Sequence, residues 1–192
     1  MNKTWILVLW VMCSLLIGCK SEYEQLVKSE LASGILHEDL FFGLKMGQEQ
    51  KEFFQICWDL NKQKIISQGP KNEYVRYEMK PNEIPNEPEK VEMLFYGIFD
   101  EEKVMRGVRK RFSYLGWSLW NKEFHSNKLA EKLKDYYLQT YGGNDFIEID
   151  EGIKEISTYV KVDGNRQILI YPADTKDVVV KIEDTRYKLS KQ

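Results

Sequence analysis

Few residues in this chain are equipped for chemistry. There are only two histidines, His37 and His125, far apart in the sequence. Neither falls in His-Glu-x-x-His or a comparable spacing, so no metal ligands are assigned. A thiolate–imidazole pair between Cys57 and either histidine would make a nucleophile. Cys57, however, lies on an apolar helical stripe, where a free thiol packs as a small hydrophobe. The sequence contains no Gly-x-Ser-x-Gly elbow, no phosphate-binding loop and no dinucleotide fingerprint, so no catalytic residue and no cofactor is assigned. Carboxylates cluster at Asp145, Glu148, Asp150 and Glu151, and at Glu83, Glu87 and Glu89. A glycosidase would need two of them across a sugar, although 30 acids in the chain make such clusters easy to form. Arg106, Arg109, Lys110 and Arg111 form the one basic run, suited to lipid headgroups or glycan carboxylates and partly cancelled by Glu101 and Glu102. Tyr114, Trp117 and Trp120 stand close together, with Phe124 just beyond. Their flat faces suit either a binding surface for a sugar or partner protein or a plug between two halves of a fold.

These residues must be held by a scaffold that the hydrophobic periodicity outlines. Helices are expected at about 21–33, after Gly47 (Phe53, Phe54, Cys57 and Leu60 recurring at helical spacing), and from Ser126, as cap, to Gly142-Gly143. Strands are expected at 74–79, 91–99, 156–162, 167–171 and 178–183. Asp163-Gly164 should turn a hairpin through positive φ, and the proline-bearing stretch 80–90 must be a loop. Residues 100–114 read either as a capped helix or as the second strand of a hairpin turning at 100–102. The order predicts an α+β fold: an antiparallel sheet with helices packed on one face, in two helix-plus-meander halves, about 26–115 and 116–192, of a single domain over 26–192.

Composition narrows the partners. A formal charge of −2 on 192 residues offers no cationic excess for phosphate, so nucleic acid is not an expected partner. The amino terminus is more specific. Lys3 precedes an apolar run from Trp5 to Ile17; as a helix this spans about 20 Å, short of the roughly 30 Å hydrocarbon core and typical of a secretory signal. Leu16-Ile17-Gly18-Cys19 resembles the lipobox of bacterial lipoproteins. That resemblance implies removal of 1–18, cleavage between Gly18 and Cys19, lipidation of Cys19 with fatty acyl groups such as palmitate, and a tether over 19–25. Two or more acyl chains hold a protein on a membrane durably. Loss of Cys13 with the leader and use of Cys19 for lipid leaves Cys57 alone, so no intramolecular disulfide is expected.

Lys20 does not resemble the aspartate that retains lipoproteins at the inner membrane, which favours the outer membrane, with its periplasmic face preferred. The run 20–24 resembles the export tags of surface lipoproteins in Bacteroidota, which would expose the protein outside. The stretches 43–47, 117–122 and 162–166 are similar to segments of uncharacterised Bacteroidota lipoproteins, and the element order is similar to that of small outer-membrane-assembly lipoproteins and beta-lactamase-inhibitor-like modules. The expected function is a non-catalytic binding or assembly module of the cell envelope with a protein or glycan partner. The alternative is a glycan-directed envelope hydrolase using paired carboxylates.

Overall fold

The computed structural model describes residues 22–149 and 157–189; Gly18, Cys19, Asp150 and Glu151 lie outside the described residues. Helix α1 is Glu22–Ala32, α2 is Gln50–Lys62 and α3 is Ser126–Tyr141; a short α4, Thr185–Leu189, closes the described chain. The strands are β1 Ser67–Gln68, β2 Val75–Glu78, β3 Val91–Phe99, β4 Met105–Tyr114, β5 Ile147–Ile149, β6 Thr158–Asp163, β7 Arg166–Pro172 and β8 Val178–Asp184. They form one antiparallel sheet in the order β1-β2-β3-β4-β8-β7-β6-β5. Helix α2 precedes the meander β1–β4 and α3 precedes the meander β5–β8, and the two meanders join where β4 pairs with β8. This is the expected α+β class.

Residues 100–114 resolve as a hairpin. Val104 N–H and Glu102 N–H both bond to Asp100 Oδ1, at 2.9 and 3.0 Å, and fold the turn into β4. Gly107 sits in β4 because a β-carbon there would lie 2.2 Å from the Ile182 carbonyl oxygen of β8. A side chain at that position would push the two halves apart.

Register fixes which side chains share the inner face. One row crosses five strands as Phe95, Lys110, Val180, Ile170 and Tyr159; the next runs Gly97, Val108, Ile182, Ile168 and Lys161. Two lysines therefore occupy rows that are otherwise aromatic or aliphatic, apart from Gly97. α2 lays Phe53 and Cys57 over this face, and α3 lays Leu129, Leu133 and Tyr137, all in a single core cluster. The stretch between α1 and α2 fills the interior with Leu40, Leu44, Phe41 and Phe42. Phe41 and Phe53 meet the Phe95 ring edge-on at 4.9 and 6.5 Å, a favoured arrangement of aromatic quadrupoles.

The one-face expectation describes α2 and α3 and not α1. Val27 of α1 packs on Val160, Val162 and Leu169, whose positions alternate with the inner-face residues of β6 and β7, so α1 covers the opposite face there. Its Glu30 accepts from Gly164 N–H and Asn144 Nδ2, each at 2.8 Å. The β6–β7 turn is Gly164-Asn165, with Gly164 alone at positive φ (+52°). Ser126 also departs from expectation. His125 occupies the cap position of α3, and Ser126 Oγ donates instead to the Asp174 carbonyl.

Candidate binding cleft at the start of α3

The β2–β3 loop, β4 and α3 are bolted together by a buried carboxylate on that loop. Glu87 accepts from Tyr114 Oη and Lys132 Nζ, both at 2.5 Å, and from Glu89 N–H at 3.0 Å. Burial alone would raise the Glu87 carboxyl; the bonds from Lys132, Tyr114 and Glu89 outweigh it and hold the group below its ordinary value. Burial and the Glu87 bond together push the Tyr114 hydroxyl well up, so it stays protonated. Phe124 stacks on the Tyr114 ring at 4.8 Å. Tyr114 is thus a core residue, 2% exposed, and contributes nothing to a surface.

From that root the loop 115–125 leaves the body. Trp117 is half-buried and donates its Nε1–H to the Thr175 carbonyl at 3.2 Å. His125 Nε2 lies 3.1 Å from the Leu119 carbonyl oxygen, and Glu123 N–H bonds to Asn121 Oδ1 at 3.2 Å. Between these two fastenings Leu119 and Trp120 face solvent, Trp120 being 90% exposed. Of the three aromatic residues expected to form one surface, the structure buries Tyr114, uses Trp117 as a strut and presents Trp120.

The loop borders a cleft of about 630 Å³ between the first turns of α3, β6 and the β7–β8 turn. His125, Asn127, Glu131, Tyr159, Asp174 and Thr175 contribute to its walls. Its acids are committed to the scaffold. Glu131 accepts from Tyr159 Oη and pairs with Lys134 Nζ at 2.9 Å. Burial would raise its carboxyl, but the Lys134 and Tyr159 bonds prevail and hold it down. Asp174 Oδ1 takes the N–H groups of Lys176 and Asp177, both at 2.7 Å, shaping the turn. A glycosidase acid needs the opposite arrangement, a carboxyl kept protonated by its surroundings.

The other singled-out groups lie elsewhere. His37 donates its backbone N–H to Asn165 Oδ1, at the far end of β7 from His125. Cys57 is buried in the core, which pushes its thiol up to about 11. Glu83 accepts from Tyr77 Oη at 2.7 Å and Lys80 N–H at 3.0 Å, while Asp145 and Glu148 are exposed. The basic run does not form one patch: Arg106 pairs with Asp100 at 2.7 Å, Arg111 with Asp177 at 3.7 Å, and Lys110 points into the core. No cluster of three or more metal-ligating side chains occurs among the described residues.

Thr175, Tyr159 and Glu131 were not singled out in the sequence. They come from three separate elements and carry no local motif; only the turn residues around Asp174 mark the place. No family model, curated protein or solved structure matches this chain.

Proposed function

We propose that the chain is a lipid-anchored, non-catalytic binding module of the bacterial cell envelope, of the kind found in Bacteroidota. Cleavage after Gly18 and lipidation of Cys19 would hold it at the outer membrane, the resemblance of Leu16-Ile17-Gly18-Cys19 to a lipobox being the support for that address. The observation that carries the binding reading is Trp120, 90% exposed on a loop fastened on both sides of it, beside a cleft whose acids serve as structural acceptors. A large aromatic ring held out in water by a braced loop is poised to lose that exposure against a partner. The cleft itself favours binding over hydrolysis, since the Lys134 and Tyr159 bonds hold Glu131 below its ordinary value instead of keeping it protonated as a general acid.

The test is expression in a lipoprotein-processing bacterium followed by fractionation and retention on isolated envelope fragments. The unaltered protein is expected in the membrane fraction at the mass of a diacylated or triacylated product starting at Cys19. Cys19→Ala should leave an unprocessed precursor. Trp120→Ala should fractionate normally but lose retention about tenfold. An unmodified mass and unchanged fractionation in Cys19→Ala would refute the anchor, and equal retention of Trp120→Ala would refute the binding surface.

A further inference from the structure

We propose that the cleft between α3 and the β7–β8 turn receives a neutral saccharide, with Trp120 as the platform for a sugar ring; the proposal rests on the binding-module reading and names its ligand class. A sugar has two chemistries at once, C–H faces that pack on an aromatic ring and a rim of hydroxyls that both donate and accept. The site offers the counterpart of each.

The apolar counterpart is Trp120. Its neighbour Leu119 offers its carbonyl oxygen to His125 Nε2 at 3.1 Å, and His125 is a wall residue of the cleft. Trp120 follows Leu119 directly, its α-carbon about 3.8 Å further along the chain, so the residue sits on the loop next to that wall with its ring 90% exposed. Trp117 secures the same loop to the carbonyl of Thr175, a residue of the opposite wall. The platform and the cleft are therefore one braced unit.

The polar counterpart lies in the walls. Asn127 uses its Oδ1 for the Lys128 N–H at 2.9 Å, and among the described residues its amide N–H groups take no other bond. Thr175 uses its carbonyl oxygen for Trp117 and for Ser126 N–H at 3.0 Å, and its hydroxyl is uncommitted among the described residues. Pro172 and Ala130 add apolar surface at the base. A volume of about 630 Å³ lies within the range of small-molecule sites and gives room for more than one ring.

Charge selects a neutral ligand. An anion would approach the α3 N-terminus and Lys128, but Glu131 and Asp174 stand in the same walls. A cation would meet Lys128 and the positive end of the helix dipole. Glu131 is already paired with Lys134, and Asp174 Oδ1 is already occupied by the two turn amides. What remains is a field of balanced sign that rewards hydroxyl groups rather than formal charge.

The experiment titrates the protein, as its host produces it and extracted in detergent, with three neutral trisaccharides: chitotriose, maltotriose and isomaltotriose. An α-1,4-linked trisaccharide of galacturonate serves as the anionic control, with calorimetry and tryptophan fluorescence as readouts. At least one neutral trisaccharide is expected to bind and the anionic one to bind at least about tenfold more weakly. Trp120→Ala should weaken binding about tenfold or more, Trp120→Phe only slightly, and Thr175→Val severalfold, all with unchanged circular dichroism. No neutral binding at about 10 mM, preference for the anion, or indifference to both Trp120→Ala and Thr175→Val overturns the proposal. Trp120-dependent envelope retention without saccharide binding would overturn the ligand class alone. Loss of both would overturn the binding-module reading as well.

Discussion

Two lysines on the inner face of one sheet have opposite surroundings. Lys161 of β6 is 0% exposed, yet it bonds to the Asn144 carbonyl and, at 2.8 Å, to Asp163 Oδ1. Asp163 in turn accepts Asn144 N–H at 2.8 Å and faces Arg166 Nη2 at 3.5 Å. Lys110 of β4 is 4% exposed and has no carboxylate within ion-pair distance among the described residues. Its Nζ lies over the Phe41 ring at 3.6 Å and 5.3 Å from that of Tyr137. Burial alone pushes its ammonium down to about 7. Both ammonium groups are buried; what differs is the supply of acceptors, present at Lys161 and, among the described residues, missing at Lys110.

The comparison breaks most readily at Lys161. Lys161→Met leaves Asp163 buried with one cation fewer, and a loss of about 3–5 kcal/mol is expected in urea unfolding. Lys110→Met should do the reverse, removing a desolvated cation and filling the site with a flexible apolar chain, for a gain of about 1–3 kcal/mol near pH 6.

The sign follows from linkage. The Lys110 ammonium has a folded value near 7 against 10.5 when unperturbed. Between those values the unfolded chain binds more protons, so the Lys110 contribution to stability rises with pH. Below about 7 its penalty is fully present, and above about 10.5 it has vanished. Stability curves of the parent and Lys110→Met should therefore converge towards high pH, and parallel curves would mean that Lys110 is solvated.

Glu87 sharpens the comparison with a buried anion that is well supplied. Glu87→Gln should cost about 1–3 kcal/mol at neutral pH, because Lys132 loses its counter-ion and Tyr114 a strong acceptor. Its carboxyl is depressed in the fold, so the contribution is present above the ordinary value of 4.5 and is lost as pH falls through the lower folded value. An acid titration of parent and variant should show the difference closing only at low pH. The smallest effect belongs to Trp120→Ala, expected to change stability by less than about 0.5 kcal/mol in the same assay because the ring is 90% exposed.

The same pair of lysines marks where sequence reasoning reached its limit. Alternation identified β3, β6, β7 and β8, and helical spacing identified α2 and α3, because apolar residues dominate those faces. β4 is ambiguous in sequence because Val104, Val108 and Phe112 fit a helical period as well as one side of a strand, and Lys110 occupies an inner position where a strand pattern calls for an apolar one, while Gly107 weighs against a helix. The reason for Gly107 is the Ile182 carbonyl, a contact from a strand distant in sequence. β1 and β5, two and three residues long, are too brief to show a period. α4 follows β8 without a break. The placement of α1 on the opposite face depends on which side of β6 holds Val160 and Val162, and one helix pattern cannot reveal that. At the site, the aromatic cluster was visible, but Tyr114 could not be told from Trp120. Both are large rings near a strand end; only the distant Glu87 and Lys132 consign the first to the interior.

The outlying position of α1 also bears on how the molecule carries load. A pull at its amino-terminal end would act first on a single 11-residue helix fastened by Val27 and its neighbours, the Tyr23 bond to Gln167 and the two bonds to Glu30. That patch is separate from the main core, so α1 can peel while the eight strands stay paired. Uncoiling from about 1.5 to about 3.4 Å per residue would pay out roughly 20 Å of slack. Tension applied at that end would thus be absorbed as extension before it reached the cleft.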